Sequence, residues 1–269
     1  MTFEYANFEK TIAQLETNPE LHARFLNTLS LLEYIGARKI LKSQKEEKIS
    51  SQILAHAAEE IRHAQTFKKL ALKMSSGKLS TYSEDHLLCG KEAREYFQSL
   101  DQAVHAEIGE DSYTNYLFTT LLIEERANQI YPIYEPVLAR AGYPGVLKAI
   151  VKEEDSHLKD ILTSLQEQGR EQKKDRPSMS VDKMIELRML EAAAFEKFIS
   201  TVHAAALNLG SLGQTAEKKP ASDSQVETAS GEAQPGLTRG STQDSKHTNH
   251  ANANPSPNHG NANAPQSKG

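Results

Sequence analysis

The pattern Glu-Glu-x-x-His occurs twice in this chain, once at residues 59–63 and once at residues 153–157. Each copy lies in a segment whose apolar residues recur every three or four positions, which predicts an amphipathic helix. Positions three apart share a helix face, so the second glutamate and the histidine of each copy can bind one ion together. Each copy follows another helical segment with a glutamate on its apolar stripe, Glu33 or Glu124. Two such helix pairs form the ligand framework of a dinuclear metal site in a four-helix bundle.

Almost the whole chain up to Gly210 is predicted to be helical. Asn18 and Pro19 are typical of a helix start, because asparagine caps free N–H groups and proline is tolerated in the first turn. The glutamates of the two helix pairs have nearly the same spacing, from position 33 to 60 and from 124 to 154, which indicates an internal duplication. The long connection between the halves predicts a crossover along the bundle. The predicted helices cover about residues 18–42, 47–74, 91–105, 113–141, 146–168 and 180–209, the last ended by Gly210.

Six side chains are predicted to be metal ligands, and they lie on stripes otherwise formed mostly by apolar residues. Four buried carboxylates are costly unless their charge is compensated. Four glutamates carry −4 and two divalent ions carry +4, so two ions balance the site while the histidines stay neutral. Oxygen and imidazole ligands together suit iron or manganese. The alternative is that these residues are solvated charges on amphipathic helices. That alternative can explain any single one of them, but it does not explain all six together. The six residues are Glu33, Glu60, His63, Glu124, Glu154 and His157.

Three of these glutamates have an acidic neighbour that competes for the same position. The apolar stripes favour Glu60 and Glu154 over the residues directly before them. Glu124 lies on a somewhat more regular stripe than the residue after it. The three competitors are Glu59, Glu125 and Glu153.

Several other residues lie near the predicted ligands. His56, one turn before Glu60, can orient a ligand, serve as a seventh ligand or be an ordinary core histidine. Thr120, one turn before Glu124, can bond a carboxylate, although a helical threonine more often bonds its own backbone. His22 lies too far along its helix to be a ligand. Ordinary packing is favoured for Tyr34, Tyr131 and Tyr134, and a helix kink is predicted at Pro132 and Pro136.

Four stretches of the chain show a family likeness: LIE at 122–124 with IYEPV at 133–137, IVKEEDSHL at 150–158, and EIRH at 60–63 followed by Phe67. They resemble the cyanobacterial aldehyde-deformylating oxygenases, within the ferritin-like diiron-carboxylate superfamily. The resemblance covers about residues 20–165, and around Glu33 only the ligand itself matches. Most of these motifs are shared across the superfamily, so they point to the metal site more directly than to an aldehyde substrate.

The resemblance implies an all-α, ferritin-like four-helix bundle with a long middle crossover and an extra C-terminal helix. It implies two iron ions, or a manganese and iron pair, that activate O2 or peroxide with electrons from an unidentified donor. The implied ligands are Glu60 and Glu154 as bridging carboxylates, Glu33 and Glu124 as terminal or shifting carboxylates, and His63 and His157 on one ion each.

Three functions compete for these residues. The first is an O2-dependent oxidoreductase that acts on an organic substrate. The second is a ferroxidase, iron carrier or peroxide scavenger of the ferritin or rubrerythrin type; the single cysteine excludes the four-cysteine rubredoxin-like module of many rubrerythrins. The third, a helical adaptor, fits poorly because all six ligand positions are filled. An apolar channel to the metals would favour the first function, and an acidic access path the second.

The composition limits the partners and the location of the chain. Its 269 residues have a formal net charge of −5, so no overall basic field attracts nucleic acid or a membrane. The single cysteine, Cys89, excludes an internal disulfide framework. The N-terminus lacks the apolar run of a signal peptide, and no stretch approaches the roughly 20 apolar residues of a membrane span. A cytoplasmic location is therefore expected.

The domain prediction is a helical bundle over residues 1–209 and a disordered tail over residues 210–269. From residue 214 onward, Val226 and Leu237 are the only aliphatic or aromatic residues larger than alanine, proline aside, so the tail cannot bury enough apolar surface to fold. The last predicted helix has an apolar face that can pack on the bundle or form a homodimer contact. Three tail histidines can gather metal weakly, although a solvated tail is favoured: His247, His250 and His259.

Overall fold

A computed structural model describes residues 5–109, 111–171 and 180–216. These residues form seven α-helices and two short 3-10 turns, and no β-strand occurs among them, which confirms the all-helical prediction for this part. Residues 217–269 of the predicted tail, which include its three histidines, lie outside the described residues. The helices are α1 (Ala6–Glu16), α2 (Pro19–Lys42), α3 (Ser51–Met74), α4 (Gly90–Ile108), α5 (Ser112–Arg140), α6 (Val146–Glu171) and α7 (Val181–Ala216).

Side-chain caps fix the starts of α2 and α3. The side chain of Asn18 accepts a hydrogen bond from the Leu21 N–H at 3.2 Å, so α2 begins where the sequence predicts. The start of α3 was predicted too early, at about residue 47, because residues 46–48 form a separate 3-10 turn. The Ser50 side chain then accepts from the Ile53 N–H at 3.2 Å and caps α3.

The later helices differ from prediction mainly at one end. Helix α5 continues without a break through Pro132 and Pro136. The predicted stop at Gly210 was wrong, because α7 continues to Ala216. A single interior glycine costs a helix only about 1 kcal/mol relative to alanine, which does not by itself end it.

The start of α6 is held by Glu135, whose carboxylate accepts hydrogen bonds from the Gly145 and Leu147 N–H groups.

The helices pack as two consecutive pairs with three further helices. Helix α2 packs mainly on α3, and α5 packs mainly on α6. Helix α4 lies in the long connection between the pairs and contacts α5 and α7, while α1 also contacts α7. The apolar face of α7 is therefore used within this chain, and its buried residues include Leu187, Phe195, Phe198 and Val202.

No described helix combines the length and the apolar character needed to cross a membrane.

Candidate metal centre

Two groups of buried histidines and glutamates lie between the helix pairs. One consists of His56, Glu60, Glu124 and His157, and the other of Glu33, Glu60, His63 and Glu154. Within each group, one ligand atom from every residue lies within 4.8 Å of the others. Glu60 belongs to both groups. The fold thus brings together all six predicted ligands from α2, α3, α5 and α6, and it adds His56.

Glu60 and Glu154 lie between the two groups. Oε1 of Glu154 is 3.1 Å from Nδ1 of His63, and Oε2 of Glu154 is 3.3 Å from Nδ1 of His157. Oε1 of Glu60 is 3.4 Å from Nε2 of His56 and 4.0 Å from Nδ1 of His63. Both carboxylates therefore face histidines of both groups, which is the position a bridging carboxylate requires. Their role as ligands remains a prediction.

The first glutamate of each Glu-Glu doublet binds the histidine of the opposite helix. Nε2 of His63 is 2.7 Å from Oε2 of Glu153, and Nε2 of His157 is 2.6 Å from Oε2 of Glu59. Arg62 joins these outer carboxylates, with Nη2 2.9 Å from Glu153 and 3.5 Å from Glu59. Each imidazole is thus held from outside through Nε2 while Nδ1 faces the inner carboxylates, which is how carboxylates orient metal-binding histidines.

Replacing Glu153 with glutamine is expected to weaken metal binding about 10- to 100-fold, because His63 loses the carboxylate that orients it. The matched control is Asp155→Asn on the same helix, since Asp155 is exposed and its carboxylate accepts a hydrogen bond from the Asn128 amide at 3.1 Å rather than from a cluster histidine. Anaerobic titration with Co(II) measures both affinities. Equal affinities in the two variants would contradict the orienting role.

The structure distinguishes between the adjacent acidic residues Glu124 and Glu125 on α5. Glu124 is 3% exposed and lies in the cluster. Glu125 instead accepts a hydrogen bond from Nε of Arg188 at 2.8 Å on the exposed side of the helix. The structure therefore places the predicted residue inside and its competitor outside. Glu59 and Glu153 are also excluded from both inner groups, although they contact the histidines from outside.

Tyr131, expected to be an ordinary packing residue, contacts the cluster directly. Its hydroxyl donates a hydrogen bond to Oε1 of Glu33 at 2.6 Å. The sequence signal was its place on the stripe of Glu124, but helix spacing does not show which side chain it meets on another helix. His22 behaves as expected: it lies outside the two groups and its Nε2 is 2.7 Å from the hydroxyl of Tyr134.

Protons balance part of the charge in the metal-free cluster. Burial opposes protonation of the three histidines, but close contacts with the neighbouring carboxylates and their negative charges outweigh it. The pKa rises to about 9 for His56, about 10 for His63 and about 11 for His157. Burial raises the pKa of both Glu33 and Glu124.

Glu154 shows the opposite shift. Its burial favours the neutral acid, but the hydrogen bond with His157 and the close contact with the positive charge of His63 outweigh this effect and lower the pKa to about 2. The carboxylate is therefore ionised at neutral pH, as a metal-binding glutamate must be.

The inner polar atoms are only partly satisfied by these contacts. Nε2 of His56, Nδ1 of His63 and both carboxylate oxygens of Glu124 are buried without a partner of hydrogen-bond geometry, although some are within ion-pair distance. Most buried polar groups in proteins have such a partner. Buried oxygen and nitrogen atoms that have lone pairs and face one another can coordinate a cation that lies between them. The buried groups can therefore hold metal ions.

Other buried carboxylates of the chain have conventional partners. Glu135 caps α6, and Glu191 accepts hydrogen bonds from Nε of Arg126 at 3.0 Å and from the hydroxyl of Tyr96 at 2.6 Å. By contrast, the four central glutamates make their described contacts with histidines and with Tyr131. The candidate centre therefore differs from sites in this chain where a buried carboxylate has a structural role.

An apolar cavity of about 430 Å³ borders the cluster. Glu33, His56, Glu60 and Glu124 form part of its wall. The exposed residue Lys42 also lines it, so the cavity reaches the surface. The rest of the wall is largely apolar and includes Phe25, Leu29, Leu32, Ile40, Phe97, Ile123, Ala127 and Ile130.

Two threonines also line this cavity. Thr119 is 7% exposed, and its Oγ1 has no hydrogen-bond partner. Thr120, the predicted candidate, is half-buried and lies in the same wall. An unpartnered buried hydroxyl in an apolar wall is a suitable contact for a polar group of a bound molecule.

A second cavity of about 620 Å³ reaches the cluster between α3, α5 and α6. His56 and His157 line its inner part. Its wall also includes the carboxylates of Glu59, Glu153 and Asp160. The two cavities thus approach the same cluster through different walls, one largely apolar and the other with three carboxylates and Lys152.

Comparison with known proteins gives no relative for this chain: no family profile, no curated protein and no solved structure matches it.

Proposed function

We propose that this chain is a ferritin-like dinuclear iron protein, with a manganese and iron pair as a variant, that uses O2 to oxidise an apolar organic substrate. The apolar cavity beside Glu33, Glu60 and Glu124 carries this proposal. A pocket of about 300–1,000 Å³ with apolar walls and a few polar groups is typical of small-molecule sites. A centre used only for iron storage has no need of such a pocket.

The arrangement of the helices supports the ferritin-like part of the proposal. Two helix pairs supply the ligands, α4 lies in the long connection between them, and α7 is an additional helix packed on α1 and α4. Duplicated helix pairs joined by one long crossover are typical of ferritin-like bundles.

Each part of the site has a distinct task in the proposed reaction. The bound metal pair would supply the redox chemistry that activates O2. The carboxylates and histidines would hold it, and the outer carboxylates would fix the imidazoles. The Tyr131 hydroxyl donates a hydrogen bond to Glu33, which limits the movement of that carboxylate. The apolar wall would exclude water and hold the substrate beside the centre.

Ferroxidase activity is the second candidate, and the acidic cavity favours it. Glu59, Glu153 and Asp160 line this cavity together with Lys152, and three carboxylates beside one lysine would attract Fe(II). An oxidoreductase must also acquire its metal, so this cavity is compatible with both functions. The apolar cavity is the feature that distinguishes them.

O2 uptake with excess Fe(II) tests the proposal. An oxidoreductase without its substrate should stop consuming O2 once about two ions per chain are oxidised, one for each group. A ferroxidase should continue in proportion to added iron. We expect uptake to stop, with a new near-ultraviolet absorption of the ferric centre. Continued uptake would favour iron handling instead.

Filling the apolar cavity should weaken the binding of small apolar molecules while leaving the metal in place. Ala127 lines the cavity without belonging to either ligand group, so Ala127→Phe is expected to weaken binding of the apolar dye 1-anilinonaphthalene-8-sulfonate roughly tenfold or more. Ala204→Phe on the exposed face of α7 is the control. Fluorescence titration measures binding, and mass spectrometry measures metal content. Unchanged dye binding would argue against the cavity as the substrate site.

A further inference from the structure

The two groups of candidate ligands differ in composition. The group with Glu33, Glu154 and His63 has three glutamates and one histidine when the shared Glu60 is included. The other group has two glutamates and two histidines, because His56 joins it. Any ions in the two positions would therefore meet different charge and different donor atoms.

The position of His56 is that of a ligand. Its Nε2 is 3.1 Å from Oε1 of Glu124 and 3.4 Å from Oε1 of Glu60. Its ring centroid lies 4.1 Å from that of His157, so both imidazoles approach the same point. The residue is 6% exposed, and Nε2 has no hydrogen-bond partner. The free nitrogen thus faces two carboxylates and a second imidazole.

Tyr116 holds the ring in this orientation. Nδ1 of His56 is 2.8 Å from the Tyr116 hydroxyl. When Nδ1–H donates to this oxygen, the tautomer leaves a lone pair on Nε2, as metal coordination requires. The contact on the far side of the ring therefore prepares the inner nitrogen to bind a cation.

Comparison of the two halves shows that the fold does not require this pair. His56 corresponds to Ile150, since each lies four residues before the ligand glutamate of its Glu-x-x-His motif. Tyr116 corresponds to Phe25, since each lies eight residues before the ligand glutamate of the preceding helix. Ile150 and Phe25 are buried in one apolar cluster. Two apolar residues thus replace a hydrogen-bonded histidine and tyrosine at equivalent positions.

We propose that His56 is a seventh ligand and that it makes the two metal positions unequal, the nitrogen-rich one binding Co(II) or Fe(II) more tightly. This inference rests on the metal centre of the proposed function and is independent of the oxidation reaction. Imidazole donors favour Fe²⁺ and Co²⁺, whereas a position with three carboxylates and one imidazole suits the harder Mn²⁺ better. The two positions should therefore fill in sequence.

Anaerobic titration of the full chain with Co(II), followed by visible absorption and calorimetry, tests this inference. We expect two binding steps in the wild-type protein. In His56→Gln the tighter step should weaken by more than about 100-fold, beyond the about 10- to 100-fold loss expected for an outer partner of a ligand. The weaker step should persist. Two steps with wild-type affinities in His56→Gln would overturn the proposal.

His22 provides the matched control. It is also a buried helical histidine bonded to a tyrosine, but it lies outside both ligand groups. His22→Gln should therefore keep both binding steps. Loss of the tighter step in this control as well would assign the His56 effect to packing and overturn the proposal.

Proton NMR of the Co(II)-loaded wild-type protein tests the same point without a substitution. Each bound histidine with an N–H on its other nitrogen gives one exchangeable, strongly shifted signal. Three signals are expected if His56, His63 and His157 all bind, and two would overturn the proposal. A wild-type protein that binds no Co(II) would remove the metal centre altogether, whereas two ions without a contribution from His56 would remove this inference alone.

Discussion

Replacing Glu60 with alanine is expected to remove nearly all bound iron from the protein. Glu60 is the one residue shared by both ligand groups, so its loss deprives both positions of a carboxylate. It also removes a carboxylate oxygen that lies 3.4 Å from Nε2 of His56 and 4.0 Å from Nδ1 of His63. Replacing His157, which belongs to one group, should lower the affinity of one position more than the other.

Plasma mass spectrometry after anaerobic reconstitution with Fe(II) measures this effect. Glu125→Ala is the control, because Glu125 is acidic and lies on a ligand helix, yet it pairs with Arg188 outside the cluster. Circular dichroism should show that the helices persist in each variant. Wild-type iron content in both Glu60→Ala and His157→Ala would contradict the assignment of the site.

The helices and the inward positions of the key glutamates follow from the sequence. A carboxylate on an otherwise apolar stripe must face the core, and this reasoning separates Glu60 from Glu59 and Glu154 from Glu153. The structure places both favoured residues in the cluster. Such predictions succeed because the periodicity of a helix is a local property of the chain.

Contacts between helices were less predictable. The pairing of Glu59 with His157 and of Glu153 with His63 depends on how α3 and α6 are offset along their axes. Helix spacing does not contain that offset. The same reason left the role of His56 open, since a histidine on an apolar stripe faces either carboxylates or core side chains depending on the neighbouring helix.

The start of α3 and the end of α7 were misplaced in the prediction, because small differences in local free energy decide these helix ends. Ser50 caps α3, so the helix begins there although the preceding residues have adequate helix propensity. Gly210 weakens α7 without ending it. Both errors concern free energies of about 1 kcal/mol, which a pattern of apolar residues does not resolve.

Metal affinity is expected to increase strongly with pH. In the metal-free protein the pKa values of His56, His63 and His157 are about 9, 10 and 11. All three side chains are therefore positively charged imidazolium groups at neutral pH. A metal ion binds only the neutral imidazole, so binding must release these protons. Release of one proton per ion raises the apparent affinity about tenfold per pH unit. Between pH 6 and 8 the expected gain is therefore about 100-fold or more for each ion.

The stability of the metal-free protein should change in the opposite direction. A histidine whose pKa is higher in the folded than in the unfolded state stabilises the fold fully below its unfolded pKa of 6.5. That contribution disappears as the pH rises through the folded values of about 9 to 11. The raised pKa of Glu33 acts in the same direction, because ionisation of its buried carboxyl group destabilises the fold. The metal-free protein should therefore melt at a lower temperature at pH 10 than at pH 7.

Two measurements together separate a metal centre from a permanent cluster of ion pairs. Calorimetric titration with Co(II) in buffers of different ionisation enthalpy counts the protons released on binding. Thermal melting compares the metal-free and loaded proteins at pH 7 and pH 10. A metal centre predicts that loading stabilises the protein most at the higher pH, where the metal-free cluster has lost its protons. A cluster built only for ion pairing predicts no proton release and equal loss of stability in both samples, because its charges are already balanced by the imidazolium groups.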